Sequence, residues 1–309
     1  MYMAKTKYGH LMKTIPPFQD YGPGSYRQGT EMNGKFFGYN LNVRYGTYFN
    51  SGNFLPFQTQ VCNYDQVMVW MGTYTIDLGY LGAQIDFNIG KEKERHRITT
   101  ANAVSIPKGL PYGPIGIGPM ESRFIMINIS IAPEVKIKTV DANPKVGEYC
   151  SWMGSKYQAN FKDLAFKRNG PWHYGPKNPD THDGAITDID ASGFEFNMSY
   201  ESMNKAPYRF TPEPDKPHVH PYTEFLIFMG CDCNDLSEFP AEVECCMGEE
   251  MEIHKITRPT VAIQPKGHPH CPVRVLKQDK PWIFIVLRPW GHGGDIYSGG
   301  EATARKNRK

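Results

Sequence analysis

The sequence predicts an all-β protein built from two barrel-like units that arose by internal duplication. Three observations carry this. Glycine (30 residues) and proline (25) punctuate the 309-residue chain, and aromatic residues make up 13% of it. That mixture favours many short strands over long helices. The apolar runs are strand-sized, as in Phe225-Leu226-Ile227-Phe228-Met229 and Ile283-Phe284-Ile285-Val286-Leu287. Residues 60–130 also overlay residues 218–288 at one offset, 158, without a gap, and 20 of the 71 aligned positions are identical. Unrelated segments would share about four by composition.

In chain order, residues 1–25, rich in Tyr, Pro and Gly, read as an extended arm. Residues 26–135 form the first unit, with Gly72 and Pro107 as landmarks that return as Gly230 and Pro265 in the second. Residues 136–190 form a long connector, with a short helix expected over 155–165 and a turn at Lys167-Arg168-Asn169-Gly170-Pro171-Trp172. Residues 191–290 form the second unit. The tail, 291–309, ends in the basic cluster Ala304-Arg305-Lys306-Asn307-Arg308-Lys309, which reads as a frayed end rather than a binding arm.

Composition excludes several functions. Lys plus Arg number 34 against 32 acids, a formal charge of +2, so nothing implies nucleic acid or an anionic membrane as the main partner. No apolar stretch reaches bilayer length, and residues 1–17 lack the apolar segment of a signal peptide. Seven cysteines, with Cys245 and Cys246 adjacent, make a poor disulfide framework. The expectation is a protein of the reducing cytoplasm.

The strongest local signal is Lys216-Pro217-His218-Val219-His220-Pro221-Tyr222-Thr223-Glu224-Phe225. His218, His220 and Glu224 differ by even numbers, which places them on one face of an extended strand. His270 follows the turn Pro265-Lys266-Gly267, which would return the chain beside the first strand. Three imidazoles and a carboxylate then converge. That set suits one divalent transition metal per chain, with Mn, Fe, Zn, Ni and Co all compatible. Four protein ligands leave positions open for substrate.

These residues resemble the two motifs of the cupin superfamily. The HxHxxxE motif is His218 to Glu224, closing on Gly230, and the PxGxxH motif is Pro265, Gly267 and His270. The likeness covers both repeat units. It implies a bicupin of two jelly-roll barrels, a metal-binding C-terminal cupin and a degenerate N-terminal one. The sequence departs from the family where Pro212 and Pro259 replace the leading glycines and Arg274 stands where asparagine is frequent. One residue fewer than usual also separates Glu224 from Gly230. These departures leave the ligand set whole.

The first unit serves as an internal control. Its ligand positions hold Gln60, Cys62, Gln66 and Tyr112, which favours a barrel kept for packing over a soft-metal site built on Cys62. His254 is matched by His96, Lys266 by Lys108 and Tyr222 by Tyr64, so these pairs belong to the shared fold. His268 is matched by Leu110 and either lines the pocket mouth or occupies a turn. Arg274 shares the parity of His270 and would enter the barrel to clamp a carboxylate, unless a bulge at Pro272 turns it outward. Leu226 and Phe228 share the ligands' parity and should wall the cavity. Cys231, Cys233, Cys245 and Cys246 lack zinc-ribbon spacing and read as reduced structural thiols. The glycine-rich run 113–118 precedes no helix, so nucleotide binding is not expected.

The resemblance implies an enzyme acting on a small oxygen-rich organic acid or carbohydrate-derived metabolite by isomerase, lyase or decarboxylase chemistry. Glu224 would serve as ligand or base, with Tyr222, Arg274 and His268 in acid–base or orienting roles. An Fe-dependent ring-cleaving or diketone dioxygenase and a non-catalytic metabolite-binding or structural bicupin are the alternatives. A homodimer is expected by the same resemblance, with the N-terminal arm available for exchange between subunits.

Overall fold

The computed structural model describes residues 6–20, 26–49, 51–53, 57–149, 155–168, 185–210 and 216–290. Among these, one compact unit comprises 16–165 with 191–194, and the other comprises 6–15, 166–168, 185–190 and 195–290. Residues 6–15 therefore belong with the second unit. Much of the expected connector, up to residue 165, belongs with the first. The tail 291–309, Pro212 and residues 169–172 of the expected turn lie outside the described residues.

The two units repeat the same antiparallel order. In the first, one sheet runs Phe161–Asp163, Asn102–Ile106, Gln66–Gly72, Phe124–Ser130, Asn42–Tyr48, Tyr26–Met32. In the second, the matching sheet runs Met12–Thr14, Thr260–Gln264, Glu224–Gly230, Trp282–Arg288, Asn197–Met203, Ala185–Asp190, Lys167–Arg168. A facing sheet completes each unit, and in the second it contains Tyr208–Arg209, His270–Gln278, Ala241–Met247 and Glu252–Ile256. Strand periodicity sends alternate side chains inward. Leu226 and Phe228 join Met203, Val243, Cys245, Val273, Trp282 and Phe284 in one buried cluster. Phe225, of opposite parity, meets the Trp290 ring instead. No helix among the described residues is long and apolar enough to cross a membrane.

The expected helix over 155–165 is not formed. A single 3-10 turn, Gln158–Asn160, leads into the strand Phe161–Asp163, which pairs with Asn102–Ile106. Burial of Phe161 against Phe87 and His96 decides the outcome, because a helix would lift that ring from the core. The N-terminal arm follows the same plan. Its turn Gly9–Leu11 leads into Met12–Thr14, which pairs with Thr260–Gln264 of its own chain.

The duplication thus extends beyond the aligned segment. Glu94 accepts the backbone N–H groups of Lys156 and Tyr157, and Glu252 accepts those of Lys7 and Tyr8. Tyr157 donates its hydroxyl to Glu92, as Tyr8 does to Glu250. Lys156 and Lys7 pair with the same two glutamates. His96 and His254 contact Glu94 and Glu252 at 2.6 and 2.8 Å, which gives both histidines a structural role. Each barrel is therefore strapped by a Lys-Tyr segment, one following its barrel in sequence and the other preceding it.

Gly90 and Gly248, at φ +79° and +76°, lie beneath the two tyrosine rings, and a Cβ at either would collide with the ring. Gly90→Ala is expected to lower stability by about 1–3 kcal/mol through left-handed strain and displacement of Tyr157. Denaturant titration reads this effect. An unchanged midpoint would mean that the strap contributes nothing.

Candidate metal centre

Glu224 opens its strand and is buried, paired opposite Gln264. His218 and His270 form an antiparallel bridge with reciprocal backbone hydrogen bonds of 3.0 and 3.1 Å. The His220 carbonyl accepts from the backbone N–H of Gly267, tying both motif segments together. These contacts bring the three imidazole rings within 4.6–5.1 Å, centroid to centroid.

Ligand atoms of His220, Glu224 and His270 lie within 4.8 Å of one another. Oε2 of Glu224 is 3.3 Å from His270 Nε2 and 3.9 Å from His220 Nε2. His218 falls outside this trio and groups with His270 and Cys271. Its ring still lies beside those of His220 and His270, at 4.8 and 4.6 Å between centroids.

The protonation states suit a cation. His270 Nδ1 lies 3.0 Å from the His268 carbonyl, which can only accept, so Nδ1 carries the proton. Nε2 is left to face the Glu224 carboxylate, 3.3 Å from Oε2. Burial pushes the Glu224 carboxyl upward, but the His270 hydrogen bond and the charges of His220, His270 and Arg288 outweigh it, leaving a pKa of about 2. Desolvation, then His270 and His220, lowers His218 to about 3. Desolvation also lowers His220. Neutral imidazoles and an ionised carboxylate are the forms a metal binds.

Arg288, which the sequence reasoning missed, supports this group from behind. Fully buried, it donates from Nε to Asn197 Oδ1 at 2.6 Å and from Nη1 to Glu224 Oε1 at 3.4 Å. Glu201 lies in the same field. Burial first, then Asp188, pushes its carboxyl well above the ordinary range, with Arg288 opposing. A signal existed in the duplication. Glu224 and Arg288 replace Gln66 and Ser130, which hydrogen-bond at 3.2 Å in the first unit. A charged pair has thus exchanged with a neutral one.

The other expected site residues divide. Tyr222 stacks on His220, with centroids 5.1 Å apart and planes at 6°. His268 holds His270 through its carbonyl, and its ring meets the edge of Tyr8 at 4.9 Å. Arg274 is a correction to the pocket expectation. Between Cys245–Met247 and Val273–His270 the register slips by one residue. Val273 and Val275 therefore face the core while Arg274 pairs with Glu244 at 3.3 Å on the other side of the sheet. In the first unit, burial and neighbouring Cys62 push the Tyr112 phenol far up, so it remains a protonated phenol rather than a phenolate ligand.

No family model matches the sequence, and no curated protein matches it. Solved structures do. A deletion mutant of Bacillus subtilis oxalate decarboxylase OxdC superposes with a TM-score of 0.54 and 8% identity, covering 91% of this chain and 77% of that one. A second structure of that enzyme, concerned with its Mn(II) centres, gives the same values. AerE from Microcystis aeruginosa gives a TM-score of 0.50 and 7% identity, covering 90% of this chain and 98% of that one. At these identities the likeness is one of fold.

Proposed function

The chain has the bicupin fold, and on that premise we propose that it is a metal-dependent enzyme acting on a small oxygen-rich organic acid or carbohydrate-derived metabolite. His220, Glu224 and His270 would hold one divalent transition-metal ion in the C-terminal barrel. The convergence of Glu224 Oε2 and His270 Nε2 at 3.3 Å carries this reading. Bound there, the ion would act as a Lewis acid toward a chelated pair of substrate oxygens, which suits isomerase, lyase or decarboxylase chemistry. The mixed nitrogen and oxygen donors suit manganese, the metal of the decarboxylase relative, as well as iron, nickel and zinc.

The chain's own residues supply positioning and proton handling. Arg288 pins Glu224 through Oε1 and leaves Oε2 facing the histidines, so Glu224 acts as a fixed ligand rather than a base that swings away. The His268 carbonyl sets the tautomer of His270. His268, whose Nε2 is buried without a hydrogen-bond partner, would be the candidate to accept or return a substrate proton. Tyr222 braces His220 by stacking. Leu226 and Phe228 provide the apolar wall. A cytoplasmic homodimer belongs to the same proposal. None of the six described cysteines forms a disulfide, which supports a reducing compartment.

Metal identity and stoichiometry test this reading, on protein purified without added metal in air and anaerobically. One manganese, zinc or nickel per chain, indifferent to air, is the expected result. One iron per chain bleached by air would move the assignment to a dioxygenase. Failure to retain or take up any divalent metal would overturn the proposal.

A further inference from the structure

We propose that Cys271 is a metal ligand, forming with His218 and His270 a sulfur-bearing coordination mode that shares His270 with the carboxylate trio. Ligand atoms of His218, His270 and Cys271 lie within 4.8 Å of one another, close enough for an ion to draw them together. Two nitrogens and a thiolate make a soft set, suited to zinc, cobalt(II) or cadmium, whereas His220, Glu224 and His270 make the harder one. On binding, the Cys271 thiol proton passes to solvent and the sulfur lone pair forms the bond to the ion, with no change of oxidation state.

The backbone explains how a residue adjacent to a ligand reaches the same centre. Cys271 has φ +76°, in the left-handed region that side-chain-bearing residues rarely adopt. Successive strand residues ordinarily point to opposite faces, and this conformation breaks the alternation, so His270 and Cys271 both face the barrel interior. In the first unit the equivalent position is Gly113, at φ +89°, where a Cβ would run into the Gln58 carbonyl. The second unit accommodates a side chain where the first excludes one, and the side chain is a thiol. Backbone strain of this kind concentrates where function requires it. His218 lies against both groups, its ring 4.6 Å from that of His270 and 4.8 Å from that of His220, centroid to centroid.

The inference rests on the C-terminal barrel being a metal site, and cobalt(II) titration of the full-length metal-free protein separates the two claims. Wild type is expected to show visible d–d bands together with a near-ultraviolet sulfur-to-cobalt charge-transfer band. Cys271→Ser and Cys271→Gly should abolish the charge-transfer band, keep the d–d bands and lose at least tenfold in cobalt affinity relative to manganese. Cys271→Gly should also raise the thermal midpoint of the metal-free protein, since glycine relieves the strain. Cys245→Ala is the control for the other interior thiol and should leave the charge-transfer band in place. A wild-type spectrum without the charge-transfer band, or a band that persists in Cys271→Gly, overturns the role of Cys271 alone. Absence of any cobalt binding overturns the metal site with it.

Discussion

Arg288→Met is expected to destabilise the protein by about 3–5 kcal/mol at neutral pH, the usual consequence of removing one partner from a buried ion pair. The side chain is fully buried, bonds Glu224 and Asn197, and lies in the field that includes Glu201 and Asp188. Methionine preserves much of the volume, so the loss is mainly electrostatic. Arg288 lowers the pKa of both Glu201 and Glu224, and its removal raises both. A carboxyl raised in the folded state contributes stability that is fully present below its unfolded value, near 4.5, and lost as pH rises through the folded value. The deficit of Arg288→Met should therefore grow from pH 4 toward pH 8. Denaturant titrations across that range measure it, and a deficit independent of pH would show that only packing was lost. Wild-type Glu224, held at about 2, works in the opposite sense, with a contribution present above 4.5 and lost as pH falls toward 2.

His270→Ala is expected to abolish stoichiometric metal binding while the fold survives. His270 belongs to both ligand groups, so neither coordination mode remains complete without it. Losing a hydrogen-bond partner of a ligand costs roughly 10–100-fold in affinity, and losing the ligand itself should exceed that. Metal analysis of the purified variant checks the outcome, with circular dichroism as the control for folding. Tyr112→Phe, at the matching position of the first unit, should leave metal content at the wild-type value. Stoichiometric metal in His270→Ala, or metal lost in Tyr112→Phe, would relocate the site.

The duplication and the candidate ligands of the motifs were legible because both are written in local spacing. A single offset of 158 aligned the two units, and it placed His254 beside His96 as a structural residue, as the Glu94 and Glu252 contacts bear out. The Lys-Tyr straps escaped that alignment. Lys7-Tyr8 precedes its barrel and Lys156-Tyr157 follows its own, at a spacing of 149 rather than 158. Collinear comparison cannot detect a segment whose order relative to its barrel is reversed. The expected helix over 155–165 failed for a related reason, since its strand is stabilised by partners some 60 residues away.

By itself, then, the sequence determined the all-β class, the twofold repeat, the His218, His220, Glu224 and His270 ligand candidates and the contrast between a polar second barrel site and a substituted first one. Side-chain chemistry and period-two spacing are local properties, and they survive folding wherever the strand is regular. Tertiary structure decided what depends on irregularity and distant pairing. The one-residue slip near Pro272 turned Arg274 outward. The left-handed backbone at Cys271 brought a thiol inward, and the pairing of distant strands put Arg288 behind Glu224. A bulge or bend reverses every facing assignment downstream of it, and only the packed barrel decides where it forms.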